Sequence, residues 1–159
     1  MTEKEKMLAH KMYDANYDKE LMEDRRKVKE LCYDFNQLRP SDEAGRQALL
    51  KRILGKTGDS FLIEPPFWCD YGYNIEIGEN FYSNHNLVIL DAGKVTFGDN
   101  VWFGAGVQVM PGVAIGSNVV IGRGSVVVKD IPDNSVAVGN PCRVIRPITE
   151  EDKKICWDR

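Results

Sequence analysis

Residues 77–127 contain the sequence IGENFYSNHNLVILDAGKVTFGDNVWFGAGVQVMPGVAIGSNVVIGRGSVV, and this stretch decides the fold. Its buried-type positions return every six residues, with one step of eight, at Ile77, Ser83, Ile89, Phe97, Phe103, Val109, Ile115, Ile121 and Val127. A period of six fits neither a helix nor a lone strand. It is typical of a parallel β-helix, in which each hexad forms one side and three sides make one coil. The nine sides make about three coils, the number expected of a stable stack.

Glycine and asparagine concentrate behind the periodic positions, in the tails IGEN, FGDN, IGSN and IGRG. These residues adopt positive φ at the lowest cost, which suits the corners of a coil. A second column six residues apart contains Val95, Val101, Val107, Val113 and Val119. We therefore expect Ile77, Ile89, Val109, Ile115 and Ile121 to point inward. Flat apolar sides would stay exposed on a single chain, so a cyclic oligomer is expected, with the number of subunits left open.

The first 60 residues lack the six-residue period and carry helix signals instead. Thr2 and Glu5 form a capping box. Ser41 is expected to cap a third helix that ends near Gly55. The expected inward positions are Leu21, Met22, Val28, Leu31 and Cys32 in the second helix and Ala48, Leu49, Leu50, Ile53 and Leu54 in the third. The resulting division is an N-terminal helical cap over 1–60, a β-helix over 61–140 and a C-terminal extension over 141–159.

The composition excludes several classes of function. A net charge of -3 over 159 residues provides no basic field for nucleic acid or an anionic membrane. No apolar run reaches membrane-spanning length, and charges stand where a signal peptide needs an apolar stretch, so we expect a cytoplasmic protein. The scattered Cys32, Cys69, Cys142 and Cys156 are expected to be reduced thiols. Only His10 and His85 are available as imidazoles, so no metal site is expected.

Three segments of the chain resemble the maltose and galactoside acetyltransferases, a branch of the hexapeptide-repeat acetyltransferases. They are EKMLAHKMYDAN at 5–16, DYGYNIEIGENFYSNHNLVILD at 70–91 and PGVAIGSNVVIGRGSVVVKDIPDNSVAVGNPCRVIR at 111–146. The resemblance implies a left-handed parallel β-helix, an N-terminal helical cap and a homotrimer. It also implies acetyl transfer from acetyl-coenzyme A to a sugar hydroxyl, at a site between neighbouring subunits.

The resemblance also implies two groups of site residues. The sugar acceptor would be bound by Asp14, Asp70, Asn84 and Asp91. Coenzyme A would lie against Trp102, Ala105, Gly122, Arg123, Val128, Lys129, Arg143 and Arg146. Within this second group, Lys129, Arg143 and Arg146 would neutralise the phosphates of the coenzyme. Without the resemblance, the carboxylates would be expected to cap turns and the basic residues to form a solvated patch.

The catalytic residue of that family is a histidine in a short His-Pro motif, which acts as general base on the sugar hydroxyl. This chain has no counterpart of the motif. The segment KVTFGDNVWFGAGVQVMPG at 94–112 joins two near-identical repeats, as expected if about two coils were lost with the six-residue register kept. His85 is the candidate substitute, but it alternates with Asn84 along the chain and so faces away from a cleft that Asn84 faces. A packed or interface ring is therefore favoured for His85, and a surface or interface position for His10.

Two functions from different classes stay open at this point. The first is a sugar O-acetyltransferase that uses acetyl-coenzyme A and no metal, with its catalytic competence open because the histidine loop is missing. The second is a non-catalytic trimeric β-helix scaffold, whose binding of coenzyme A is left open. A metal-dependent hydratase on the same fold fits poorly, because the histidine ligands are lacking.

Overall fold

The chain folds into three N-terminal helices followed by a stack of short strands. The computed structural model describes residues 1–155. The helices are α1 (Glu3–Leu8), α2 (Lys19–Gln37), α3 (Glu43–Ile53) and, after the strands, α4 (Glu150–Ile155). The strands are β1 (Phe61–Ile63), β2 (Phe67–Cys69), β3 (Ile75–Glu76), β4 (Phe81–Ser83), β5 (Leu87–Ile89), β6 (Val95–Phe97), β7 (Val101–Phe103), β8 (Gln108–Val109), β9 (Ala114–Ile115), β10 (Val119–Ile121), β11 (Val126–Val127), β12 (Ser135–Gly139) and β13 (Cys142–Pro147).

The strands form three sides of a coil, because from β1 to β11 each pair joins a strand to the one three elements later, and β10 then pairs with β12. The first side has the order β1-β4-β7-β10-β12-β13, the second side β2-β5-β8-β11 and the third side β3-β6-β9. All of these pairs are parallel except β12 with β13, which is antiparallel. The predicted fold class, a parallel β-helix of hexapeptide repeats with N-terminal helices, is confirmed.

The six-residue column fills the narrow interior of the coils. Ile77, Ile89, Val109, Ile115 and Ile121, which were predicted to point inward, are all buried. Phe81, Phe97 and Phe103 cluster in this interior, with ring centroids 5.2 to 5.3 Å apart. Deleting one such ring would leave a cavity and cost about 3–5 kcal/mol of the free energy of unfolding.

One corner of the coil is held by a ladder of four asparagines from successive turns. Asn80, Asn100, Asn118 and Asn134 each have φ between 55° and 57°. Their side-chain amides donate to one another in sequence, with nitrogen–oxygen distances of 3.0, 3.1 and 3.0 Å. The ladder passes through Asn100, within the segment 94–112 that joins the two repeats, so the coils on either side of that junction keep one continuous register.

The helical cap agrees with the sequence at its first turn. The Glu5 amide donates to Thr2 Oγ1 at 3.1 Å and the Thr2 amide donates to Glu5 Oε2 at 2.7 Å, which is the predicted capping box. Met22 was expected inward but is exposed, because the buried face of α2 is formed by Leu21, Val28, Cys32 and Phe35.

The third helix differs from the prediction at its start and on its buried face. Its N-cap is Asp42 rather than Ser41, because the Asp42 carboxylate accepts the Gly45 amide at 2.9 Å. Ala48 is exposed, and Arg46 is buried in its place. The Arg46 guanidinium donates to the Pro40 carbonyl at 3.3 Å and pairs with the Glu64 carboxylate, also at 3.3 Å. A buried arginine is tolerated here because these oxygens satisfy its charge.

The described cysteines, Cys32, Cys69 and Cys142, are free and buried, while Cys156 lies outside the described residues. Within residues 1–155, no group of three or more histidine, cysteine, aspartate or glutamate residues could hold a metal ion. None of the described helices is both long and apolar enough to cross a membrane.

Candidate functional site

The candidate residues lie at two different corners of the coil. The first corner follows the first side and contains residues 84–85, 104–105 and 122–123. Backbone hydrogen bonds join successive coils at this corner. The Asn84 amide donates to the Phe103 carbonyl at 3.0 Å, and the Gly104 amide donates to the Ile121 carbonyl at 2.9 Å. The second corner follows the second side and contains residues 70–71, 91–93, 111–112 and 128–129, aligned by the register of β2, β5, β8 and β11.

Asp91 is the interior group of the second corner, with 0% of its surface exposed. Its Oδ1 accepts the amides of Asp70 at 3.0 Å and Tyr71 at 2.8 Å, and its own carbonyl accepts Asn74 Nδ2 at 2.8 Å. Burial raises the pKa of the Asp91 carboxyl to about 6. Its Oδ2 is buried and has no hydrogen-bond partner among the described residues. Asp91 therefore braces the corner between two coils, and its contact with a sugar stays a prediction.

Asp70 is the half-buried carboxylate of the same corner. Burial raises its pKa, and the nearby charges of Arg25 and Lys29 on α2 oppose that shift. Arg25 also donates to the Tyr71 hydroxyl at 2.6 Å and to the Ala15 carbonyl. This one side chain thus ties the loop before α2 to the second corner.

Asp14 lies in that loop, one residue before Ala15, and is exposed. Its Oδ1 accepts the amides of Asn16 at 3.2 Å and Tyr17 at 3.1 Å, so the carboxylate also caps the turn. Arg25 was not singled out from the sequence. An arginine on the polar face of a helix gives no sign that it links two distant segments.

Asn84 and His85 stand at the first corner, a full side away from Asp70. The Asn84 side chain accepts the His85 amide at 2.7 Å. The exposed His85 ring places Nδ1 2.5 Å from the Pro65 carbonyl oxygen. One chain therefore does not gather the four predicted acceptor residues, because Asn84 is separated from the three aspartates.

The first corner also carries part of the predicted coenzyme surface. Ala105 and Arg123 are exposed one above the other, and the Gly124 amide donates to the Ala105 carbonyl at 2.8 Å. At Gly122, an added Cβ would lie 2.8 Å from Val138 Cγ2, so the Val138 side chain packs directly against this glycine. Trp102 is 44% exposed on the outer face of the first side and stacks on Tyr82, with centroids 5.8 Å apart.

The three predicted phosphate ligands are not equivalent. Lys129 and Arg143 line one surface cavity of about 190 Å³, which is completed by Asp130, Ile131, Cys142 and Val144. Arg146 instead forms a bidentate ion pair with Asp152, at 2.7 and 2.8 Å, which holds the pKa of that carboxyl below its ordinary value. The half-exposed Val128 precedes Lys129 at the second corner. The structure thus brings Lys129 and Arg143 together and leaves Arg146 engaged elsewhere.

Comparison with known proteins agrees with both parts of this architecture. Residues 6–58 match the maltose acetyltransferase hexapeptide capping motif, and residues 94–129 match the bacterial transferase hexapeptide of six repeats. A maltose O-acetyltransferase from Clostridium difficile 630 is 42% identical and has a TM-score of 0.79, with 94% of this chain and 99% of that chain covered. A galactoside acetyltransferase in complex with coenzyme A is 38% identical, also with a TM-score of 0.79, over 96% of this chain and 94% of that one.

The fold and the repeats define a hexapeptide-repeat acetyltransferase. The chain belongs to the maltose and galactoside O-acetyltransferase family. The Saccharomyces cerevisiae protein YJL218W, whose name assigns it to the acetyltransferases without proof of activity, is 45% identical over 93% of this chain and 94% of its own length.

The alignment with YJL218W also measures what this chain lacks. It spans 184 positions, to which 93% of a 159-residue chain contributes only about 148 residues. About 36 positions of the alignment therefore have no residue here. That number equals two coils of 18 residues, the spacing between the paired Val101 and Val119. It agrees in size with the loss predicted within residues 94–112.

Proposed function

We propose that the protein is a cytoplasmic, homotrimeric sugar O-acetyltransferase that uses acetyl-coenzyme A. The observation that carries this proposal is the pairing of Lys129 with Arg143 around one surface cavity, on a fold whose relative was solved with coenzyme A bound. Two cations around one cavity suit a phosphate group, because charge-assisted hydrogen bonds to phosphate are short and strong.

The rest of the coenzyme surface follows the first corner. Its pantetheine arm would lie along Ala105 and Gly122, the predicted coenzyme positions of that corner. Trp102 and Arg123 offer exposed surface beside that path, and the exposed Val128 lies next to Lys129 at the second corner. Arg146 would contribute only after its ion pair with Asp152 opens.

A complete acceptor site requires two subunits. Asn84 lies at the first corner and Asp70 at the second, so a sugar could meet both only where one subunit's first corner faces a neighbour's second corner. Exposed apolar side chains support such a contact, because Leu62, Tyr82 and Trp102 are aligned across the outer face of the first side and Trp68 is exposed on the second. Sedimentation equilibrium should give three times the 18.0 kDa of the chain.

In the transfer step, the acceptor hydroxyl oxygen attacks the thioester carbonyl carbon, the C–S bond breaks and coenzyme A leaves as its thiol. A positioned general base contributes roughly a hundredfold to ten-thousandfold to such a step. The family's histidine motif has no counterpart in this sequence. We therefore expect slow transfer, and the missing motif also favours a second candidate, a trimeric scaffold that binds coenzyme A without turnover.

The two candidates are separated by two measurements on the same protein. Calorimetry with coenzyme A tests the binding surface, and mass spectrometry of a sugar panel incubated with acetyl-coenzyme A tests transfer. Acetylated sugar above a protein-free control supports the transferase. Coenzyme binding without any acetylated sugar supports the scaffold, and the absence of coenzyme binding contradicts both.

A further inference from the structure

His10 stands in an unusual backbone conformation directly after α1. Its φ is 55°, and every other non-glycine residue with positive φ in the described chain is an asparagine. The turn is fixed by backbone bonds from the His10 amide to Met7 at 3.1 Å and from the Lys11 amide to Lys6 at 2.9 Å. These two bonds form the Schellman motif that ends a helix, and the left-handed position of that motif is usually a glycine. His10 therefore places a side chain where most helix ends have none.

The His10 ring lies against the second corner, over two glycines from successive coils. A Cβ on Gly93 would lie 3.2 Å from His10 Cε1 and 3.4 Å from Nδ1. A Cβ on Gly112 would lie 3.8 Å from the same Cε1. Since neither residue has a side chain, the corner leaves room for an imidazole at this level.

The level of His10 is midway between the two predicted binding regions. At the second corner, Asp70 lies one coil below Gly93, and Lys129 lies one coil above Gly112. Coils are spaced about 4.8 Å apart, so His10 stands within roughly 5–10 Å of either level along the stack. In the two-subunit site proposed above, an acceptor bound at Asp70 and a thioester held at the first corner of the neighbouring subunit would meet beside this second corner.

The shortened stack explains why His10 reaches both coils. Gly93 comes directly before the segment 94–112 within which the two-coil loss is predicted, Gly112 is the last residue of that segment, and the missing length is about 36 positions. Two further coils within this segment would separate the glycines by about 10 Å more along the stack. His10 could then contact one of them but not both.

The two imidazoles of the chain differ in their availability. His85 Nδ1 is engaged by the Pro65 carbonyl. The exposed His10 ring makes no hydrogen bond to any residue within 1–155, so both of its nitrogens are open to a ligand.

We propose that His10 is the general base of this chain, a role that rests on the acetyl transfer proposed above. A neutral imidazole nitrogen of His10 takes the acceptor hydroxyl proton as the oxygen forms its bond to the thioester carbonyl carbon. As the C–S bond breaks, the imidazolium gives that proton to the coenzyme A thiolate. A histidine from the cap thus takes the part of the histidine whose motif this sequence lacks.

The test compares three variants in an assay of acetyl transfer from acetyl-coenzyme A to sugars. His10→Asn keeps a residue that tolerates positive φ and should lower kcat by about a hundredfold to ten-thousandfold. Its coenzyme A affinity and melting temperature should match the wild type, which excludes misfolding. His10→Gly should regain turnover when free imidazole is added, whereas His85→Asn should keep wild-type kcat.

The outcomes separate this proposal from the one it rests on. Loss of turnover in His10→Asn together with imidazole rescue of His10→Gly supports His10 as the base. Wild-type turnover in His10→Asn overturns only the assignment of His10 as the general base, and the proposed acetyltransferase activity is unaffected by that result. Undetectable transfer by the wild type to every sugar, with coenzyme A still bound, overturns both.

Discussion

Arg143 is the residue that best tests the predicted coenzyme A surface. Arg143 lines the same cavity as Lys129, and its only side-chain hydrogen bond among the described residues is from Nη1 to the Cys142 carbonyl at 3.1 Å. Its guanidinium can therefore turn to a phosphate without breaking an ion pair. Arg143→Ala should weaken coenzyme A binding by about 1–3 kcal/mol, or roughly fivefold to 150-fold in Kd.

Arg146 provides a matched control for this prediction. It lies three residues along the same strand, but Asp152 already holds its guanidinium at two oxygens. Arg146→Ala should change the Kd by less than about twofold, because an exposed pair offers little and the arginine must first be released. Calorimetric titration with coenzyme A at constant salt measures both variants. Equal losses for the two arginines, or no loss for Arg143→Ala, would refute the assignment of the cavity to a phosphate.

Three further predictions concern stability. Phe103→Ala should lower the free energy of unfolding in urea by about 3–5 kcal/mol, while Trp102→Ala on the outer face should cost less. Asp91 has a folded pKa raised to about 6, so its contribution to stability should fall as pH rises from about 4 to 6, by roughly 1–3 kcal/mol; Asp91→Asn should remove that pH dependence. Asn100→Ala should cost about 1–2 kcal/mol, because it breaks two ladder bonds and places alanine at positive φ.

Each of these has an outcome that would contradict it. If Trp102→Ala were less stable than Phe103→Ala, the buried side of β7 would be the one that carries Trp102, which would contradict the structure. Identical pH profiles of unfolding for the wild type and Asp91→Asn would mean that Asp91 does not titrate with folding. An unchanged stability of Asn100→Ala would mean that the ladder does not hold the junction.

The six-residue period predicted the fold because it reports burial directly. Phe97, Phe103 and Val109 follow one another around the coil, and only an inward position explains an apolar residue at every sixth place. The helical cap was harder to predict. Ser41 and Asp42 are both competent N-caps, and the sequence does not show which side chain reaches the Gly45 amide.

The site was less predictable than the fold, because its residues are related by stacking rather than by spacing. Nothing in the sequence indicates that Asn84 and Asp70 turn at different corners, or that Arg146 is taken by Asp152. Burial of Arg46 depends on Glu64, eighteen residues away. His10 appeared to be a surface residue, and only the structure shows its ring over Gly93 and Gly112.

The central claim is that this shortened β-helix still transfers acetyl groups to sugars. The most direct measurement is the rate of coenzyme A thiol release from acetyl-coenzyme A by the purified protein, with and without added sugar. The account predicts sugar-dependent release above the rate of hydrolysis, slow in the wild type and lost in His10→Asn. Coenzyme A binding with no sugar-dependent release would contradict it and identify the protein as a scaffold.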